Sequence, residues 1–287
     1  MKPTPAYDTL ILEGGSLRCA FTAGVMDALL LLGPLKFERI FGISAGSMVM
    51  ATYLSGQYKH FYRISRDLVE DGTFIRFSSA WSEEGVMNLS HLRAHVMRHA
   101  PLDLDTLGVA QKSTQAIVVT THLETGEPRY IEPQGRDWMD ALVASSSLPM
   151  VTRGKVQFHG EWMFDGGYSD PLPLDKALEM GGRRMLVVRT RPMGDHASQS
   201  YIDSFGMYWH RHNKVLAPLF LEGYERYNNT VDRLLRGGDN QGRTWEEIAP
   251  PYPLQTDAWT VGAKEVAQDY RLGVDTAMNW WAHRHLT

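Results

Sequence analysis

The stretch Phe41-Gly42-Ile43-Ser44-Ala45-Gly46 has the makings of a nucleophile. Gly-x-Ser-x-Gly between a strand and a helix is a turn so sharp that the serine backbone is forced into an unfavourable conformation and its hydroxyl projects from the end of the sheet. Gly42 and Gly46 allow such a turn because they carry no Cβ to clash where the chain folds back. The helix that follows points its N-terminus, the positive end of its dipole, at any anion forming there. The pattern alone is common, so its flanks decide. Residues 38–41 read as strand and residues 47–54 as helix, the setting that acyl transfer by a serine requires.

A serine that attacks a carbonyl needs an anion site and a base. Glu13-Gly14-Gly15-Ser16-Leu17-Arg18-Cys19 follows the β-rich run Thr9-Leu10-Ile11-Leu12, and a glycine turn between a first strand and a first helix aims backbone N–H groups at an anion. A dinucleotide loop would want Gly-x-Gly-x-x-Gly, but the third and last positions here are Ser16 and Cys19. An oxyanion hole built from the N–H groups of Gly14, Gly15 and Ser16 fits better, with a turn that serves packing alone as the plainer reading. One such donor is worth about 2.7–4 kcal/mol to an acyl-transfer transition state. Ser16 is expected to keep a donated N–H only where its φ is negative. For the base, His122 is the best placed of 11 histidines, at the end of an apolar strand. Asp165 is the stronger candidate, because it ends a strand and Gly166-Gly167 let the backbone pass close to another element.

The elements that must hold these groups follow from periodicity. A helix is expected over 20–32, an amphipathic helix over 58–70, and a further helix over 88–99 capped by Asn88 or Ser90. Residues 74–85 are aromatic and without period. Residues 115–121 are apolar on both faces and predict an interior strand, with Arg129-Tyr130-Ile131 beside it across a Glu124-Thr125-Gly126 turn. Helices over 137–144 and 174–180 alternate with strands over 162–165 and 185–188, which predicts a largely parallel α/β sheet. Beyond 193 an aromatic-rich stretch, a helix over 227–235, a polar loop over 237–253 and a closing helix over 264–285 are expected. The closing helix has Val266, Tyr270, Val274, Ala277, Met278 and Trp281 on one side, read as core rather than as a lipid-facing stripe.

Composition bounds the class. Of 287 residues, 43% are hydrophobic and 22% charged, and 29 basic against 33 acidic residues leave a net charge of −4. That balance gives no reason to expect nucleic acid. Cys19 is the only cysteine, which excludes an intrachain disulfide and a cysteine-rich zinc site. The first residues lack the apolar core of a signal peptide, and no run approaches the ~20 apolar residues of a membrane span. A soluble cytoplasmic protein is the expectation.

Taken together, Gly14-Gly15-Ser16-Leu17-Arg18, Gly42-Ile43-Ser44-Ala45-Gly46 and Asp165-Gly166-Gly167, in that order, resemble the patatin-like phospholipase family. Ala144-Ser145-Ser146-Ser147-Leu148-Pro149 and Asp170-Pro171-Leu172-Pro173-Leu174 add to the resemblance, which covers residues 8–190. It implies a three-layer α/β/α sandwich with a mainly parallel central sheet, a catalytic core over 1–192, and a helical C-terminal extension over 193–287 packed on the same domain. It implies a serine acyl hydrolase without histidine or cofactor: Ser44 the nucleophile, Asp165 the base, and Gly14, Gly15 and Ser16 the oxyanion donors. Burial would have to raise the Asp165 pKa toward useful basicity. The implied substrates are acyl esters of (lyso)phospholipids or related lipids, reached at a membrane surface by a peripheral protein. Arg18 meets a phosphate or forms a structural ion pair, and residues 74–86 form an acyl-chain wall or lid or simply pack. The loop departs from the family's Asp-Gly-Gly-Gly-x-Arg-Gly at Glu13, Ser16 and Cys19, the last read as a small packed residue. A generic carboxylesterase or thioesterase and a non-catalytic lipid-binding protein are the competing classes.

Overall fold

Strand β1 (Thr9–Leu12) is buried at every position, so it needs cover on both faces, and helices packed on either side of the sheet supply it. The computed structural model describes residues 7–33, 35–71, 89–148, 156–198, 215–257 and 262–285. Among them lie β2 (Arg39–Ile43), β3 (Gln115–His122), β4 (Pro128–Ile131), β5 (Val156–Phe158), β6 (Glu161–Asp165), β7 (Arg184–Val188) and β8 (Thr244–Ile248), joined in the order β5-β6-β3-β2-β1-β7-β8, with β4 also paired to β3. The run from β3 to β8 is parallel, whereas β4 and β6 lie antiparallel to β3.

Alternation along the buried strands sends side chains to two cores. Leu10, Leu12, Ile40, Val118, Leu186 and Val188 pack on one side against α1 (Cys19–Leu32), α2 (Ala45–Leu54), α3 (His60–Asp71), α4 (Leu89–His99), α5 (Leu104–Ala110), α6 (Asp137–Ser145) and α9 (Ala263–His285). Ile11, Phe41, Ile43, Ile117, Val119 and Val187 pack on the other against α7 (Leu174–Glu179) and α8 (Leu216–Leu234). The result is a three-layer α/β/α sandwich around a mainly parallel sheet. No described helix is long and apolar enough to cross a membrane.

Helix α9 lies along α1, and the approach is close. A Cβ on Gly24 would run into the carbonyl of Tyr270, and one on Gly273 into the carbonyl of Phe21. Val266, Tyr270 and Ala277 of α9 are buried as expected, but Met278 is 51% exposed.

Two expectations change. The polar stretch 237–253 contains β8, which extends the parallel sheet beyond β7; its sequence, Thr-Trp-Glu-Glu-Ile, hides the strand because Glu247 is buried by pairing with Arg189 rather than by being apolar. The helix expected from 227 begins at Leu216. Strand β5 and helix α5 had no legible periodicity. Residues 74–86, the cap at Asn88 and the side chain of Ser90 lie outside the described residues.

Candidate active site

Ser44 sits between β2 and α2 at φ 53° and ψ −131°, a conformation that costs a non-glycine residue of the order of 1–3 kcal/mol and persists only where its surroundings enforce it. Those surroundings are specific. A Cβ on Gly42 would stand 2.5 Å from Ser47 Cα, and one on Gly46 2.5 Å from the Leu12 carbonyl. The Ser47 N–H and hydroxyl both donate to the Ser44 carbonyl, at 2.9 and 2.5 Å. From the far side, the Ser44 N–H donates to the Ser145 hydroxyl at 2.8 Å, and that hydroxyl donates onward to the Val119 carbonyl at 2.7 Å. Ser145 is fully buried and thus ties the elbow to β3.

Asp165 reaches the same place from the opposite direction. Ile43 pairs with Val119 on one side of β3, and Asp165 pairs with Thr120 on the other. Because β6 runs against β3, the ends of β2 and β6 meet at one level of the sheet. A Cβ on Gly166 would collide with the Val119 carbonyl, so only glycine lets the chain turn there. The Asp165 carbonyl accepts from the Thr121 hydroxyl at 2.8 Å, and its N–H donates to Ser147 O at 2.8 Å. The side chain is 3% exposed. Its Oδ1 accepts from Gly167 N–H at 2.8 Å, while Oδ2 is buried without a partner of full hydrogen-bond geometry. Burial pushes the Asp165 pKa up to about 6, and the Ser44 hydroxyl and Gly167 N–H, which favour the charged form, hold it back from going further.

The glycine loop closes the third side. A Cβ on Gly14 would stand 2.9 Å from Ser44 Cβ, so loop and elbow are in contact. Among the described residues, the N–H groups of Gly14 and Gly15 have no protein acceptor, and that of Ser16 opens a short 3-10 turn where none is supplied. Ser16 has φ 53°, so the negative φ set as the condition for its donated N–H is not met, although that N–H has no protein acceptor among the described residues. The serine holds the left-handed shape a glycine would take, so the loop keeps its course. Behind the loop, the Glu13 carboxylate accepts from Tyr227 Oη at 2.8 Å and Thr190 N–H at 2.6 Å, and lies 3.7 Å from Arg189 Nε. Arg189, fully buried, also donates to Glu247 at 3.0 Å and to Tyr227 Oη at 2.6 Å. Thr190 Oγ1 donates to Gly14 O at 2.9 Å. Cys19 is buried with its thiol pKa pushed up to about 12 by that burial, a packed and unreactive residue.

Ser44, Asp165, Gly14, Gly15, Ser16 and Arg18 line one open cleft of about 420 Å³. Arg18 pairs with no described carboxylate: its Nε is buried without a partner and its guanidinium lies against Gly15. No described residue lining the cleft is a histidine. His122 is engaged elsewhere: its Nδ1 accepts from Thr125 N–H at 3.2 Å in the β3–β4 turn. The sequence reading did not single out Ser145 within its serine run, nor Thr190, Tyr227 and Arg189. Nothing local marks them, since their partners lie up to 214 positions away.

A family model described as patatin-like phospholipase matches residues 10–178. The chain is similar to the Escherichia coli K12 protein YjjU, itself uncharacterized, at 26% identity over 284 residues, covering 94% of this chain and 75% of that one. Among solved structures it is similar to VipD from Legionella pneumophila, with TM-score 0.48 and 12% identity over 98% of this chain and 68% of that one. It is also similar to the type III effector protein ExoU, with TM-score 0.44 and 13% identity over 99% and 54% of the two chains.

Proposed function

Given that the chain belongs to the patatin-like phospholipase family, and so to the lipid acyl hydrolases, we propose that it cleaves carboxylic ester bonds of (lyso)phospholipids through a Ser44–Asp165 dyad and an acyl-enzyme. The observation that carries this reading is a buried carboxyl of raised pKa, one oxygen unsatisfied, beside a serine held in a strained turn. Asp165 takes the Ser44 proton as Oγ bonds to the ester carbonyl carbon. The carbonyl oxygen becomes an oxyanion facing the N–H groups of Gly14, Gly15 and Ser16. As the C–O bond to the alcohol breaks, Asp165 returns the proton to that oxygen. Water, deprotonated by the same carboxylate, then adds to the acyl carbon, and as the bond to Ser44 Oγ breaks the proton returns to that oxygen and the fatty acid leaves. A carboxylate with pKa near 6 accepts that proton far more readily than one near 4, yet stays charged at neutral pH. Arg18, with no carboxylate partner in the cleft, is suited to a phosphate headgroup, and the protein would meet its substrate at a membrane surface.

A fluorophosphonate probe tests the nucleophile, because it labels only an activated serine. Wild type is expected to label stoichiometrically and Ser44→Ala not at all. Equal labelling of the two would remove Ser44 from the mechanism.

A further inference from the structure

The segment that carries the base has little reason of its own to keep one shape. Asp165 leads into a short 3-10 turn, Gly166–Tyr168, and two adjacent glycines leave that backbone many conformations. Side chains from three other elements fasten it. The Thr121 hydroxyl of β3 meets the Ser169 hydroxyl at 2.8 Å, and the Arg226 guanidinium of α8 donates to the Tyr168 carbonyl at 3.2 Å. The Tyr130 hydroxyl of β4 donates to the Asp170 carboxylate at 2.6 Å. Asp170 passes that restraint on, because its own N–H donates to the Gly166 carbonyl at 2.9 Å. Tyr130 is held at the same time against the nucleophile's strand. It lies opposite Val119 in the β3–β4 ladder, and its ring meets Phe41 of β2 edge-on, with centroids 6.3 Å apart at 90°. One side chain thus touches both the strand that ends at Ser44 and the loop that begins at Asp165.

We propose that Tyr130 and Asp170 are a positioning pair: through them β4 fixes the Gly166–Gly167 turn against β2, and with it the reach of the Asp165 carboxyl toward Ser44. The inference rests on the dyad reading and adds what holds the two groups together. Neither Tyr130 nor Asp170 is among the described residues lining the cleft, so both act through the turn. Gly167 N–H donates to Asp165 Oδ1 at 2.8 Å. A turn that drifts therefore misplaces the carboxyl and also withdraws a bond that favours its charged form. Misplacement of a reacting group by about 1 Å costs up to about 10²-fold in rate. The pair itself survives acid. Burial raises the Asp170 pKa to about 6, but the protonated acid keeps an oxygen that accepts from Tyr130. Arg226 and Asp175 are the charges facing Asp170, and Lys176 stands 5.3 Å from the centre of the Tyr130 ring. Near Asp165, the Cys19 thiol stays neutral, its pKa pushed up to about 12 by burial, and Arg18 and Arg191 in the cleft keep a constant charge.

Two measurements test the pair. The first is kcat for 4-nitrophenyl butanoate, with KM beside it. Tyr130→Phe, which keeps the ring on Phe41 and loses the hydroxyl, is expected to lower kcat at least about tenfold with KM within about twofold. Asp170→Ala is expected to lose as much, and the double variant no more than either single one, as for two residues that act through one bond. The second measurement is the pKa of the Asp165 carboxyl, followed by its carbon NMR signal, which is identified by its absence from Asp165→Asn. In Tyr130→Phe the weakened Gly167 bond should move that pKa upward by about 0.5 or more. A pair that only supports the fold would lower the unfolding midpoint without moving it. An Asp165 pKa that stays where it was therefore overturns the proposal. Should Asp170→Ala not fold, Tyr130→Phe alone decides. If the wild type hydrolyses no ester but the Asp165 pKa still moves in Tyr130→Phe, the dyad reading fails and the pair stands as what holds the carboxyl. If esters are hydrolysed and that pKa is unmoved, only the pair fails.

Discussion

At neutral pH Asp165 carries a charge that its burial resists. Its pKa of about 6, against an ordinary 3.8, means that the native state binds the proton more tightly than the unfolded chain does. The native state is therefore destabilised as pH rises from about 4 through 6, and the loss is complete above that, on the order of 3 kcal/mol. Asp165→Asn should then raise the urea midpoint at pH 7.5, with the gain vanishing near pH 4, while lowering kcat/KM by about 10³-fold. The asparagine oxygen can still accept from Gly167 N–H. A variant that unfolds more easily at pH 7.5 would mean that the carboxylate is a structural support instead. In the wild type, kcat/KM should fall as pH drops through about 6, with the slope of one proton. The turns that hold Ser44 and Asp165 could be read from the sequence because each demands glycine neighbours. Ser145 could not, because a buried hydroxyl acquires its role from a strand and an elbow that only folding brings to it.

Helices α1 and α9 are an element-scale dependence of the same kind. Each presents a glycine to the other's backbone, and neither has a lateral escape. Gly24→Ala and Gly273→Ala should each destabilise the protein by about 3 kcal/mol or more in chemical denaturation, although alanine is the better helix former by about 1 kcal/mol. A stabilised variant would show that the helices can separate without loss. Sequence periodicity found both helices but not their contact, since a glycine inside a helix gives no sign of which neighbour it admits. Periodicity also failed at β8. Two adjacent glutamates suggest solvent, and it takes the Arg189 guanidinium, contributed by the segment after β7, to bring one of them inside.

On the scale of the whole molecule, that guanidinium joins parts of the chain far apart in sequence. It lies between Glu13 at the end of β1 and Glu247 of β8, with Tyr227 of α8 bridging to Glu13. The part of the chain beyond 193 thereby holds the glycine loop from behind. Arg189→Met should leave two carboxylates buried without their cation, for a loss of about 3–5 kcal/mol by calorimetry. An unchanged unfolding temperature would mean that these groups are not interdependent. The resemblance visible in residues 8–190 gave no hint of this, because an arginine in a loop looks like any solvated charge.

Strands β2 and β6 flank β3 on its two edges, paired at Val119 and Thr120, so the spacing between nucleophile and base is quantised. A slip of β6 by one residue against β3 would carry the Asp165 carboxyl to the opposite face of the sheet. Such a conformer would keep most of its helices and its circular dichroism while being unable to turn over a single ester. Specific activity, compared with the titrated fraction of reactive serine, would therefore count the molecules whose sheet closed in the correct register.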